Sequence, residues 1–90
     1  MADNRIKYAT KSGTTHEHIT HLGNDTETWP VADVVRRIDG RVDTFYTFEA
    51  GTRANVATRQ GTYRKYVQTQ TDGVWQNNLL ALPPCRVRAA

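Results

Sequence analysis

The chain changes its hydrophobic period once, and that switch limits the possible folds more than any other feature. Val31, Val34, Val35 and Ile38 stand at i, i+3, i+4 and i+7, so they form one stripe of an α-helix. From residue 42 the spacing becomes two. In VDTFYTFE, Val42, Thr44, Tyr46 and Phe48 share one face of a strand, and Asp43, Phe45, Thr47 and Glu49 share the other. A helix of about three turns does not persist alone in water. Its stripe must therefore land on a sheet made from the two-residue pattern.

Local signals bound the helix. Pro30 suits the first helical position, where its missing N–H costs nothing. Asp33 falls in the first turn and is spaced to pair with Arg37 four residues on. Gly40 is placed as the left-handed residue just past the helix end.

The remaining elements are read from turns. Arg5 to Lys11 reads as a first strand with Ile6 and Tyr8 on one face, Ser12-Gly13-Thr14 as a turn, and His16 to Leu22 as the returning strand. After the helix come the strand through Phe48, a turn at Ala50-Gly51-Thr52, and RANVATR with Ala54 and Val56 inward. A turn at Gln60-Gly61 follows, and TYRKYVQT closes a three-strand meander. Asp72-Gly73 is a further turn, leading to an apolar cluster of Val74, Trp75, Leu79, Leu80 and Leu82. Asn77 or Asn78 is placed to cap a short helical turn, and Pro83-Pro84 forces extension. Residues 86–90 read as a flexible tail. The expectation is one α+β domain over 1–90 in the order ββαβββ. Its sheet is mainly antiparallel, with one helix on a face, a C-terminal cap, and a core over about 5–83.

Composition agrees with a small folded domain. Val, Ile, Leu and Phe make up 17 of 90 residues, close to the lower limit for a packed core. The net charge of +3, two Trp and four Tyr argue against disorder. Thirteen Thr and eight Val favour strands. The single cysteine, Cys85, rules out an internal disulfide and fits a reducing cytoplasm. MADNRIKY has no apolar core of the signal-peptide kind, and no apolar run approaches the ~20 residues a bilayer span needs. A cytoplasmic location without membrane contact is expected.

Three histidines crowd into HEHITH. On an extended strand, His16 and His18 point to one face and His21 to the other. Two co-facial imidazoles fall short of the three or four ligands zinc requires. The stretch is read as a solvated strand, with no structural metal and no cofactor. Ser12, the single serine, lies outside any G-x-S-x-G context, and no phosphate-binding glycine loop is present. Arg86 stands beside Cys85, but one neighbouring charge does not make a nucleophilic site. The chain is read as no enzyme, with no catalytic residue assigned.

Charge is uneven. Residues 1–50 carry six Lys/Arg against eight Asp/Glu, and residues 51–90 carry six against one. Arg53, Arg59, Arg64 and Lys65, interleaved with Tyr63 and Tyr66, make a candidate nucleic-acid-binding set, because cations track phosphates and rings stack bases.

The segments ITHLG, TFYTF and KYVQTQTDGVWQNNLLALPPC resemble a group of small bacterial domains, domain of unknown function number three-eight-nine-two. The resemblance runs from about Ile6 to Cys85. It is most specific at Tyr66, Thr69, Asp72-Gly73, Asn78-Leu79-Leu80 and Leu82-Pro83. It implies a compact bacterial domain and brings no catalytic residue, cofactor or substrate. The motif has an architectural reading, in which Thr69 and Asp72 bond local backbone, Gly73 takes a left-handed turn and the leucines seal one end of the sheet. It also has a functional one, in which Thr69, Asp72, Trp75 and Asn78 form the rim of a ligand pocket. The expected function is a non-enzymatic protein-binding or interaction module, its partner another protein or a second copy meeting an exposed strand edge. The alternative is weak nucleic-acid binding by the basic, aromatic-bearing C-terminal sheet.

Overall fold

The structure is a computed structural model and describes residues 2–86. The strands are β1 (Asp3–Arg5), β2 (Tyr8–Lys11), β3 (Ile19–Gly23), β4 (Thr28–Pro30), β5 (Thr44–Glu49), β6 (Thr52–Gln60), β7 (Lys65–Thr71) and β8 (Val74–Gln76). Helix α1 spans Val31–Asp39 and the single-turn α2 spans Asn78–Ala81. The strands make two sheets, one ordered β1-β5-β6-β7-β8 and one ordered β2-β3-β4. Helix and sheets share one core, so the α+β class holds.

Helix α1 forms where its stripe predicts. Val34 is fully buried and Val31 nearly so, while Val35 and Ile38 are half-buried against the same cluster. Asp33 pairs with Arg37 at 3.1 Å and also with Arg36. Both ends differ from expectation by one residue. Pro30 closes β4 and serves as the N-cap, with helical structure beginning at Val31. Gly40 has φ −82°, and the left-handed residue is Arg41, at φ +56°. The chain leaves the helix with the Val42 N–H donating to the Arg37 carbonyl at 2.9 Å. This return bond places the left-handed turn at Arg41, one residue beyond the glycine.

The first predicted strand divides in two. Asp3–Arg5 pairs in parallel with Thr44–Tyr46, whereas Tyr8–Lys11 pairs antiparallel with β3 in the other sheet. Ile6 and Tyr8 are both buried, Ile6 in the common core, while the Tyr8 hydroxyl donates to Asp25 at 2.7 Å. The hairpin of β2 and β3 is present, but residues 16–18 form a 3-10 turn, not a strand. The ladder ends at Lys11 opposite Ile19. There the Ser12 N–H donates to the His18 carbonyl at 2.9 Å and the His18 N–H to the Thr15 carbonyl at 3.0 Å. Those bonds take up the backbone groups that a longer strand would need.

The meander is as expected and gains a fourth strand. Ala50-Gly51 and Asp72-Gly73 are two-residue loops with both residues at positive φ. That is the type I′ geometry whose twist matches a hairpin. The second loop returns Val74–Gln76 as β8, where sequence spacing suggested only an apolar cluster. On β5 and the two residues before it, Asp43, Phe45 and Thr47 point inward, while Val42 and Phe48 are exposed. Phe45 meets Trp29 edge-on, with centroids 5.2 Å apart. Asp43 is buried on that face because the Ala2 N–H (2.9 Å) and Arg37 (2.6 Å) satisfy its carboxylate.

The family-like C-terminal segment seals the core. Leu79 and Leu82 are buried, and Asn78 Nδ2 donates to the Thr47 hydroxyl at 3.3 Å. Lys11 Nζ donates to the carbonyls of Leu80 and Leu82 at 3.1 and 3.0 Å, a cation at the end of α2. The Pro83 carbonyl accepts from the Ala9 N–H at 2.8 Å, and the Cys85 N–H donates to the Thr10 hydroxyl at 3.1 Å. Both bonds cover the outer edge of β2. Of the expected tail, Arg86 places its guanidinium 5.2 Å from the Tyr8 ring centroid, and 87–90 lie outside the described residues.

Candidate binding face

Residues opposite one another in a ladder project from the same side of a sheet. In the five-stranded sheet the pairs Arg5–Tyr46, Tyr46–Asn55, Phe48–Arg53, Asn55–Gln70, Arg59–Tyr66 and Gln70–Trp75 therefore define one face. The other face carries Phe45, Val56 and Val67 and packs into the core with α1. The first face is open, with Phe48 exposed and Tyr46, Tyr66 and Trp75 half-buried.

This open face is organised by arginines lying on rings. Arg53 sits 4.0 Å from the Tyr46 centroid and reaches Asp3 with two bonds of 2.9 Å. Arg59 sits 4.3 Å from Trp75 and 5.9 Å from Tyr66, and donates to Gln68 Oε1 at 2.9 Å. Arg5 sits 5.6 Å from Phe48 and donates to the Phe48 carbonyl at 2.7 Å. Cation–π contact fixes each guanidinium, so the face is preorganised.

The predicted nucleic-acid set does not stay together. Arg53, Arg59 and Tyr66 share the open face. Tyr63 and Arg64 lie in the β6–β7 turn, and Lys65 turns to the opposite side, where it pairs with Asp39 at 2.7 Å. Tyr63 is 95% exposed, so its ring stands apart from the other aromatics.

The four proposed pocket-rim residues separate as well. Thr69 is fully buried, its hydroxyl 3.5 Å from the Gln76 carbonyl. Asp72 is exposed in its turn, Trp75 is on the open face, and Asn78 is engaged with Thr47. Sequence reasoning missed Arg5, Tyr46 and Phe48, which join the face only because β1 and β5 pair beside β6. The exposed alternation of Tyr46 and Phe48 was the available signal.

The histidines are likewise dispersed. His18 packs over Gly13, where a Cβ would come within 2.3 Å of Nδ1. His21 Nδ1 contacts the Thr20 hydroxyl at 2.9 Å. Burial, with Arg59's charge in second place, pushes the His16 imidazole below its usual range. Among the described residues no three His, Cys, Asp or Glu side chains gather in a metal-binding group.

The chain is a two-sheet α+β domain with one preorganised arginine–aromatic face, and no described helix is long and apolar enough to cross a membrane. The chain belongs to the family described as Protein of unknown function (DUF3892), whose pattern matches residues 5–83. No curated protein and no solved structure matches the chain.

Proposed function

We propose that this is a non-enzymatic, cytoplasmic bacterial interaction module that docks another protein on the open face of its five-stranded sheet. The observation that carries this reading is the row of arginines stacked on Tyr46, Phe48, Tyr66 and Trp75. Arg, Tyr and Trp dominate binding hot spots, where they bury much area and retain polar donors. Asp3 is the acidic residue among the paired positions of this face. The partner surface is therefore one that offers carboxylates to this arginine-rich face.

Edge pairing is the weaker route to association. Strands β1, β4 and β8 have three residues each, and short edges discourage strand addition. The outer edge of β2 is covered by the C-terminal segment.

Nucleic-acid binding is the second reading, favoured by Arg53, Arg59 and Tyr66 sharing one face. Against it, the guanidinium groups already occupy ring faces that bases would stack on, and Asp3 neutralises Arg53. Recovery of bound molecules from the native cell, with and without nuclease, distinguishes the two. The protein reading expects nuclease-resistant partners that Arg59→Glu loses. Submicromolar binding of single-stranded DNA or RNA at physiological salt, abolished by Arg59→Glu, would replace it with the second.

A further inference from the structure

We propose that the cleft between α1, β3 and the β6–β7 turn binds a small apolar carboxylate. The cleft encloses about 410 Å³, within the roughly 300–1,000 Å³ typical of small-molecule sites. None of its lining residues belongs to the open sheet face, so this inference stands apart from the docking reading.

Apolar side chains of Ile19, Val31 and Val35 line it. They do so because the α1 stripe is wider than the core it meets: Val34 is fully buried, while Val35 remains half-buried. His21, Arg64 and Lys65 contribute the polar part, and no lining residue is acidic. Lys65 is committed to Asp39. Arg64 is exposed, with no ion pair or side-chain hydrogen bond among the described residues. The His21 ring is held at Nδ1 by Thr20, which leaves Nε2 as its remaining polar atom.

An apolar wall beside one uncommitted guanidinium complements a molecule with an apolar body and a single negative head. A carboxylate matches the guanidinium fork with two parallel bonds. One uncommitted cation suits a monoanion better than a more highly charged head.

The test uses amide chemical shifts of the full, isotopically labelled chain, titrated with 4-phenylbutyrate, with neutral 4-phenylbutanol and with acetate. The acid should saturate with a dissociation constant of about 0.1–1 mM, as expected for a dozen heavy atoms at ordinary efficiency. Its shifts should centre on residues 19–21, 30–35 and 64–65. The alcohol should bind about tenfold more weakly, the difference a solvent-exposed charge-assisted pair makes, and acetate should not saturate in that range. Arg64→Gln should reduce the acid to the alcohol's affinity, and Arg64→Lys should keep part of the preference. Ala32→Trp, at an exposed position on the cleft wall, should block both ligands while the spectrum stays folded. Equal binding of acid and alcohol would overturn the proposal. So would saturating shifts elsewhere, no saturation by the acid, or an acid preference that survives Arg64→Gln.

Discussion

The guanidinium of Arg59 lies 4.3 Å from the centroid of the Trp75 ring. The two residues belong to β6 and β8, and the contact crosses β7, where Gln68 holds Arg59 by a further bond of 2.9 Å. Gln68 is buried beneath this lid although it points away from the core. Removing either partner should therefore cost more than its own area. A double-mutant cycle of Arg59→Ala and Trp75→Ala, read by urea unfolding, should return a coupling of about 0.5–1 kcal/mol. Strict additivity would mean that the two groups touch without attraction.

Backbone strain yields a pair of substitutions with opposite signs. Gly73 sits at φ +78°, and a side chain added there would meet nothing within 4 Å of its Cβ, so crowding plays no part. Gly73→Ala should cost about 1 kcal/mol from the left-handed backbone alone. Arg41 is at φ +56° with an exposed side chain, and Arg41→Gly should stabilise by about 0.5–1 kcal/mol. Denaturation midpoints of the two variants decide the matter. A stabilised Gly73→Ala or a destabilised Arg41→Gly would be inconsistent with these conformations.

Burial separates two residues of one helical stripe. Val34 is fully buried and Ile38 only partly. Val34→Ala should cost about 1–3 kcal/mol through lost burial and a cavity. Ile38→Ala removes more atoms from a less buried site, so its cost should fall below the roughly 2–5 kcal/mol of a fully buried isoleucine. Thermal unfolding of both variants tests this, and a negligible effect at Val34 would mean the helix docks elsewhere.

Acid should destabilise the fold through several carboxylates. The Ala2 N–H and then Arg37 hold Asp43 below the usual carboxylate range. Lys65 and then Thr58 do the same for Asp39, and Arg53 and then Thr44 for Asp3. A depressed folded-state pKa gives stability that is fully present above the unfolded value of about 3.9 and is lost as pH falls through the folded one. Urea midpoints should be level between about pH 7 and 5 and drop toward pH 3. Asp43→Asn should flatten that drop, and a midpoint that rises on acidification would contradict the assignment.

How far the sequence revealed this arrangement depends on how local each cause is. Val31 to Ile38 announced α1 because a helix is written in spacings of three and four. Asp72-Gly73 announced its turn because two positive-φ residues are needed there. Phe45 and Phe48 were harder. Both faces of β5 carry aromatics, and the face holding Val42, Tyr46 and Phe48 is the more apolar in sequence, yet it is the open one. Asp43 can be inside only because Ala2 and Arg37 reach it, and neither contact is visible in a strand pattern. The parallel pairing of Asp3–Arg5 with β5 joins three polar residues to partners 41 positions on, with no turn to signal it. Arg59 and Trp75 meet only once β8 is known to follow β7 in the sheet. The histidines misled because alternation in HEHITH imitates a strand that the Ser12 and His18 bond closes early.

Side-chain oxidation by hydroxyl radicals tests the proposed docking face most directly. The labelled chain is footprinted in native-cell extract and in buffer of matched scavenging capacity. Docking on the open face predicts protection of Trp75, Tyr66, Tyr46 and Phe48 in the extract, resistant to nuclease, while Tyr63 on its turn keeps its reactivity. Protection of Tyr63 with the four face residues unchanged, or protection that nuclease removes, would contradict it.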